Sequence, residues 1–324
     1  MAPVPLVHII RSGLEESVHW GDVIVVDAAG TVVAVAGSPD RAVFARSCMK
    51  PLQAAVSLSF APLDFTDQEV AVMCASHNAE PVHVAAVRSL LERAGVNEEA
   101  LQCPSVRPWD EAAAQHAPGP RTINSDCSGK HAGMLAACAA QGWPQESYRA
   151  GEHPLQEAIL ATVREVTGLD SLRVGVDGCG VPVHGMSLSS MATIYARLTT
   201  PSQWSALEPW VGRASQAMRA EPYLVAGRNR TDTAVMATAP GVIAKGGAEG
   251  LMCAAINAGN LGVAVKISDG ASRAAGPAMV HALMLLGVLD AGALAGLAPF
   301  ARPPVLGGGQ PVGEMVPDFS FHAA

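Results

Sequence analysis

Apolar positions near the two ends of the chain fall in short β-branched runs, a pattern that predicts β-strands. Short turns separate the runs, and Asn257–Asn260 is typical of a hairpin turn. The predicted strands are Ser17–Asp27, Gly30–Ala36, Gly241–Lys245, Gly250–Ile256 and Leu261–Ile267. The segment after Pro303 is rich in glycine and proline and is interpreted as loop.

The middle of the chain shows helical periodicity instead. In Pro81–Ala94 the apolar residues recur at helical spacing, and Gly95 is expected to end the helix. One strand, Arg173–Asp177, interrupts this region. Further predicted helices are Lys130–Gln141, Leu155–Thr167, Met186–Leu198 and, beyond the last strand, Ala274–Leu289.

Strands at both ends that flank a helical middle favour an α+β fold. We expect one antiparallel sheet built from the N- and C-terminal segments, with a helical lobe inserted between them. Residues 1–45 and 236–324 would form the sheet lobe. Residues 46–235 would form a mainly helical lobe with a metal site, so that residues 1–324 make a single two-lobed catalytic unit.

Composition and charge exclude several classes of protein. The 324 residues are 49% hydrophobic and 15% charged, which argues against intrinsic disorder. The net charge of −8 and the 4% aromatic content argue against a nucleic-acid binder. The N-terminus lacks the basic start of a signal peptide, and the dense apolar part of Ala278–Leu289 is too short to span a bilayer. Seven scattered cysteines suggest reduced thiols, so a cytoplasmic protein without a membrane partner is expected.

Lysine is scarce, and this directs attention to the lysines that remain. The chain has 21 basic residues, but all except Lys50, Lys130, Lys245 and Lys266 are arginine. Arginine cannot lose its proton in a protein, whereas a desolvated lysine can become a neutral base or ligand. The four lysines are therefore candidates for chemistry that arginine could not perform, unless they are accidents of composition.

Ser47 and Lys50 form the first candidate pair. On a helical turn, positions i and i+3 lie on one face, so a neutral Lys50 could take the proton of the Ser47 hydroxyl. The backbone N–H of Ser47 could then stabilise an oxyanion. Taken alone, the motif is more typical of a serine that caps a helix next to a solvated lysine.

Two further motifs follow along the chain. Ser76 and Asn78 lie just before the Pro81 helix, where they could either face a cleft or cap the helix. Lys245 ends a predicted strand and precedes two glycines, which would let a substrate approach the backbone. In order, the three motifs are similar to the S-x-x-K, S-x-N and K-[ST]-G elements of β-lactamases and penicillin-binding proteins, although Ser76 follows Ser47 by only 29 residues.

A pair of glycine-rich turns predicts a metal site. Cys127 and Cys179 could hold a soft divalent cation such as zinc, and spacing alone suggests a histidine, His131 or His184, as the third ligand. The alternative is a capped helix start together with an unrelated buried cysteine.

Taken together, the motifs resemble those of the rhizobial-type (class 3) L-asparaginases, a family also called asparaginase II. The resemblance covers nearly the whole chain and is carried by the segments RSCMKPLQA, CASHNAEPVH, NSDCSGKHAGML, GVDGCGVPVHG and AKGGAEG. It implies a fold related to serine β-lactamases and serine glutaminases, and a homodimer. It also implies hydrolysis of a small-molecule substrate, L-asparagine, to L-aspartate and ammonia.

Site residues follow from the same resemblance. It implies two serine–lysine tandems, Ser47 with Lys50 and Ser76 with Lys245. Lys266 is a rival for the second lysine, since it also follows a strand. The resemblance further implies a zinc ion held by Cys127, Cys179 and the amine of Lys130, which replaces the histidine expected from spacing.

The mechanism expected from these residues is attack by Ser47 on the side-chain amide, with Lys50 as general base and a β-aspartyl ester as intermediate. Because Lys50 must be deprotonated to act, an alkaline optimum is expected. The zinc would organise the cleft, and its affinity should fall at low pH, where the Lys130 amine is protonated. Two alternatives stay open: another serine amidohydrolase (a glutaminase or a β-lactam or peptide hydrolase), and a non-catalytic zinc-binding protein.

Overall fold

The two ends of the chain form one antiparallel sheet. The structure is a computed structural model that describes residues 2–322. Its strands are β1 Val4–Arg11, β2 Leu14–Val26, β3 Val32–Ala36, β4 Ala42–Phe44, β5 Arg173–Val176, β6 Pro182–Ser187, β7 Val242–Gly246, β8 Leu251–Ile256, β9 Leu261–Ile267, β10 Pro304–Gly307 and β11 Gln310–Pro317. The main sheet has the order β10-β11-β1-β2-β9-β8-β7, and β3 pairs with β2. The predicted α+β class, with a sheet from both ends, is confirmed.

Helices fill most of the middle of the chain, and two more follow β9. They are α1 Lys50–Phe60, α2 Asp67–Met73, α3 Pro81–Arg93, α4 Glu111–His116, α5 Ser128–Gln141, α6 Pro154–Thr167, α7 Leu188–Leu198, α8 Glu208–Ala220, α9 Pro222–Val225, α10 Thr231–Thr238, α11 Ser272–Leu285 and α12 Ala291–Ala301. Strand β8 is buried along its whole length, so both faces of the sheet are covered there, and α7 and α11 both pack on it. No helix within residues 2–322 has the length and apolar character needed to cross a membrane.

The described chain divides into two compact units. The sheet unit contains the residues up to Cys48, Met186–Thr200 and the residues from Ala234 onward. The helical unit contains Met49–Gly185 and Pro201–Thr233. Residues 46–48, 186–200 and 234–235 were predicted in the helical lobe and belong to the sheet unit.

Helix α7 belongs to the sheet unit because it packs closely against β9. A Cβ atom at Gly262 would lie 1.9 Å from the carbonyl oxygen of Ala192, so only glycine allows this approach. Tyr195, also on α7, is completely buried. The predicted helix Met186–Leu198 therefore begins later than expected, at Leu188, because β6 extends to Ser187.

The C-terminal segment corrects one prediction. The residues after Pro303 were interpreted as loop, but they form the hairpin β10–β11, and β11 pairs with β1. Gly308 and Gly309 both have positive φ, at 57° and 78°, as a tight hairpin turn requires. The glycine pair was the turn signal, and the prolines around it concealed the alternating pattern of the strands.

Candidate active site

Ser47 lies in a one-turn 3-10 helix, Arg46–Met49, that runs directly into α1 at Lys50. Pro51 occupies the first turn of α1, as predicted. An N–H at this position would have no partner within the helix, so proline costs no helical hydrogen bond there. Arg46 has φ of 45°, a left-handed conformation that is strained for a residue other than glycine and that recurs at functional sites. Ser47 is half-buried.

Lys50 is the centre of the site in the helical unit, and its side chain is 0% exposed. Its Nζ donates to the hydroxyl oxygen of Ser76 at 2.8 Å and to the carbonyl oxygen of Ala75 at 2.6 Å. The carbonyl oxygen of Asp126 lies at 3.4 Å and its carboxylate at 3.8 Å. The lysine of the first predicted tandem thus contacts the serine of the second.

In the sheet unit, the turn that carries Ser47 is fixed to the strand that carries Lys245. The Cys48 thiol donates to the carbonyl oxygen of Lys245 at 3.1 Å, and the Tyr195 hydroxyl donates to the carbonyl oxygen of Cys48 at 2.8 Å. Lys245 is completely buried on β7, the edge strand. The sequence motifs of Ser47 and Lys245 therefore lie side by side in this unit.

The backbone after Lys245 points to the outer edge of β7. The N–H of Gly247 is bonded to the carbonyl oxygen of Leu251 at 2.7 Å, toward β8. Bonded and non-bonded positions alternate in an antiparallel ladder, so the N–H and C=O of Gly246 face away from β8. The Nζ of Lys245 donates to the carbonyl oxygen of Gly246 at 2.7 Å, on that outer edge.

Lys266, the rival for the second lysine, makes different contacts. Its Nζ donates to the carbonyl oxygens of Glu249 at 2.6 Å and Ile267 at 2.5 Å. Desolvation by burial lowers the pKa of Lys266. Both of its hydrogen-bond acceptors in the described chain are main-chain carbonyls. Through Glu249, Lys266 stabilises the turn between β7 and β8.

The candidate metal ligands are brought together in the helical unit. Cys127 and Cys179 are 6% and 5% exposed, and Lys130 is 3% exposed. The Nζ of Lys130 lies 3.0 Å from the sulfur of Cys179. Within residues 2–322 no three His, Cys, Asp or Glu side chains gather into a metal site. The nitrogen donors beside Cys179 are the Lys130 amine and the His131 ring, which also hydrogen-bonds to that sulfur.

The charges in this cluster suit a divalent cation. A hydrogen bond from the Cys127 thiol holds the pKa of Cys179 well below its ordinary value and raises the pKa of Cys127. Burial alone would lower the pKa of Lys130, but the two sulfurs raise it above its ordinary value. The thiolate form is thus favoured at Cys179, and the protonated forms are favoured at Cys127 and Lys130. Soft sulfur and nitrogen donors fit zinc.

Two stacked histidines support the Ser76 segment. His77 is completely buried; its Nδ1 accepts from the N–H of Ala79 at 3.1 Å, and its Nε2 bonds to the hydroxyl of Ser128 at 2.9 Å. The proton is therefore on Nε2, since the Ser128 hydroxyl itself donates to a carbonyl oxygen. Ring stacking joins His77 to His83 at 5.2 Å. Burial holds the pKa of His77 well below 6.5 and also lowers the pKa of His83.

These neutral histidines predict an acid-sensitive fold. Below about pH 6.5 the unfolded chain binds protons that the folded chain excludes. The free energy of unfolding should therefore be fully present above pH 6.5 and fall as the pH drops toward 5. The slope should reach up to about 1.4 kcal/mol per pH unit for each histidine. Urea unfolding between pH 8 and pH 5 measures this.

The matched pair for that measurement is His77→Asn and His116→Gln. The first should reduce the slope, and the second should leave it unchanged because His116 is exposed at the end of α4. Equal free energies of unfolding at pH 7 and pH 5 in the wild-type chain would contradict the expectation.

None of the four lysines is exposed, which agrees with the interpretation of their scarcity. Two residues near Ser76 were given no role from the sequence, namely Asp126 and Arg230. Asp126 approaches Lys50, and the guanidinium of Arg230 donates to the carbonyl oxygen of Ser76 at 3.2 Å. Both contacts join residues far apart along the chain, and no local motif announces them.

Comparison with known proteins identifies one family. Residues 7–317 match the family model described as L-asparaginase II. A search of curated proteins gives no match. Among solved structures, a β-lactamase from Mycobacterium bovis is similar, with 17% identity, a TM-score of 0.44, and coverage of 89% of this chain and 97% of that one.

A probable glutaminase from Bacillus subtilis, complexed with 6-diazo-5-oxo-L-norleucine, is also similar. It has 12% identity, a TM-score of 0.40, and coverage of 83% of this chain and 84% of the glutaminase. At such scores neither structure carries an argument about the chemistry of this chain.

Proposed function

The chain belongs to the L-asparaginase II family and is an amidohydrolase, and from that premise we propose that it hydrolyses L-asparagine to L-aspartate and ammonia through a covalent serine ester. The observation that carries the mechanism is the contact of buried Lys50 with the Ser76 hydroxyl at 2.8 Å. A buried amine on a serine is the arrangement that moves protons in serine–lysine catalysis.

In the first step, the Ser47 oxygen attacks the side-chain carbonyl carbon of asparagine, and its proton passes to neutral Lys50. The C=O double bond becomes an oxyanion, which backbone N–H groups stabilise. The donors we propose are Ser47 and Gly246. Support for Gly246 comes from its N–H, which faces the outer edge of β7.

In the second step, the C–N bond breaks and ammonia leaves. The nitrogen needs one proton, and the route that we propose runs from Lys50 Nζ through the Ser76 hydroxyl, which is already hydrogen-bonded to that amine. Lys245 is proposed to assist Ser76. Water then attacks the β-aspartyl ester and gives one proton to Lys50. The ester C–O bond breaks, Lys50 returns that proton to the Ser47 oxygen, and aspartate is released.

The experiment for this function is ammonia release from L-asparagine and L-glutamine at pH 9. Turnover of asparagine, with a higher kcat/KM than glutamine, would support the proposal. The two substrates differ by one methylene, which is worth about 1–3 kcal/mol of discrimination. Preference for glutamine would make the enzyme a glutaminase, and no ammonia from either amide would overturn the assignment.

We further propose that Cys127, Cys179 and Lys130 hold a zinc ion. A bound zinc would supply a fixed positive charge that organises the site, and every proton transfer above is assigned to side chains of the chain itself. The support is the burial of all three donors and the 3.0 Å approach of Lys130 to Cys179. The nucleophile, Ser47, is therefore not expected to require the zinc ion.

A Lys130→Arg variant tests the lysine as a ligand. Arginine keeps the positive charge but cannot become a neutral donor, so zinc affinity should fall by about 100-fold or more. Equilibrium dialysis with zinc, followed by metal analysis of the protein, measures this without reference to activity. Cys138→Ser is the matched control, because Cys138 is a buried cysteine on the same helix. Equal zinc content in wild type and Lys130→Arg would contradict the ligand set.

A further inference from the structure

The segment Ser76–Asn78 presents the Ser76 hydroxyl to Lys50, and the chain holds this segment from one side through its N–H groups. The N–H of Ser76 donates to the carbonyl oxygen of Val225 at 2.9 Å, and the N–H of Asn78 donates to that of Ala226 at 3.0 Å. These two bonds set the distance between the segments but leave the Ser76 carbonyl to another partner.

Arg230 binds the oxygen atoms of the Ser76–Asn78 segment. Its Nη1 donates to the main-chain oxygen of Ser76 at 3.2 Å and to the side-chain oxygen of Asn78 at 3.0 Å. The guanidinium lies 5.6 Å over the ring of Trp109. One planar cation thus joins both ends of the segment and rests on an aromatic face.

Trp109 is itself fixed to the same segment. The backbone N–H groups of Trp109 and Asp110 both donate to the main-chain carbonyl oxygen of Asn78 at 3.0 Å. The stack therefore holds Arg230 in one orientation relative to the carbonyl groups that it binds.

Close packing leaves the segment little freedom. Gly227 has φ of 108°, and a Cβ atom there would lie 2.5 Å from a carboxylate oxygen of Glu80 and 2.9 Å from the amide nitrogen of Asn78. That amide donates to the carbonyl oxygen of Arg228 at 2.9 Å. The residues before Arg230 therefore wrap tightly around Asn78, and Arg230 completes the enclosure.

We propose that Arg230 is a positioning residue that holds the Ser76 hydroxyl on Lys50 for the proton transfer to the leaving ammonia. The expected effect of Arg230 on the reaction rate rests on the proposed function. Its expected effect on the order of the Ser76–Asn78 segment rests on the structure alone. Arg230 bonds to the main-chain oxygen of Ser76, so it acts through the backbone of that residue.

The kinetic test compares Arg230→Ala and Arg230→Lys with the wild type. A displacement of about 1 Å at a proton-transfer group lowers a rate by about 100-fold, so kcat of Arg230→Ala should fall by that order while KM changes little. Arg230→Lys should recover only part of the rate, because an ammonium lacks the planar surface that stacks on Trp109. Added guanidinium, at tens of millimolar, should partly restore kcat in Arg230→Ala.

Arg213→Ala is the matched control. Arg213 is a half-buried arginine of the same unit, paired with Asp67 and with the carbonyl oxygen of Phe65. It should leave kcat unchanged and show no rescue by guanidinium. A folded Arg230→Ala variant with kcat within about twofold of wild type would overturn the proposal.

Hydrogen exchange of the peptide that spans residues 74–80 gives a readout that needs no activity. The amides of Ser76 and Asn78 should exchange about tenfold faster in Arg230→Ala, which corresponds to about 1.4 kcal/mol, and not in Arg213→Ala. A wild type without amidohydrolase activity would overturn the proposed function only. Faster exchange in Arg230→Ala would still support the positioning role, and unchanged exchange would overturn it.

Discussion

A Ser47→Ala variant is expected to lose at least about 10⁴-fold in kcat/KM for L-asparagine, or about 5.5 kcal/mol of transition-state stabilisation. Without the hydroxyl oxygen no ester can form, and the lysine has no proton to accept. The turn that carries Ser47 is held by the neighbouring Cys48, whose thiol donates to the carbonyl oxygen of Lys245. The substitution therefore removes one oxygen atom and leaves this turn in place. Coupled detection of ammonia at substrate concentrations around KM measures the loss.

The control for this variant is Ser57→Ala. Ser57 is a buried serine on α1 whose hydroxyl donates to the carbonyl oxygen of Gln53 within its own helix. It should keep nearly full activity. If Ser47→Ala turned over asparagine within about tenfold of wild type, Ser47 would not be the nucleophile, and Ser76 would be the serine to examine.

A Lys50→Met variant is expected to lose about 10³-fold in kcat, the usual contribution of a positioned general base. Methionine is an unbranched side chain that suits a buried position, but it has no amine for the Ser76 hydroxyl or for the carbonyl oxygen of Ala75. Steady-state kinetics measures the loss, and thermal unfolding recorded in parallel separates it from loss of the fold.

Lys266→Met is the matched lysine control. Because the Lys266 amine bonds to the main chain of Glu249 and Ile267, its loss should lower stability slightly and leave most of the activity. Activity of Lys50→Met within about tenfold of wild type would exclude Lys50 as the base. A loss in Lys266→Met as large as that in Lys50→Met would contradict the choice of Lys245 for the second tandem.

Much of the fold could be predicted because its elements carry strong local signals. The helix Pro81–Arg93 has proline in its first turn and Gly95 after it, and β8 and β9 flank a glycine-containing turn. The strands at the two ends of the chain were harder. In β1 and β10 prolines replace residues of the alternating pattern. The pairing of β1 with β2 and β11, and of β10 with β11, reveals them as strands.

The candidate site divides in the same way. Ser47, Lys50 and Ser76 stand in short motifs whose chemistry can be interpreted from their spacing. Arg230 and Asp126 cannot be found in this manner, because they reach the Ser76 segment only after the chain has folded. Spacing alone also favoured a histidine as the third metal ligand. The structure places both the Lys130 amine and the His131 ring beside Cys179, so the choice of Lys130 stays a prediction.

The central claim is that Ser47 carries the acyl group, and mapping of the covalent intermediate tests it most directly. Wild-type protein mixed briefly with L-asparagine, quenched in acid and digested should yield a β-aspartyl adduct on the peptide that contains Ser47, absent from Ser47→Ala. An adduct on the peptide that contains Ser76, or one that persists in Ser47→Ala, would contradict the account.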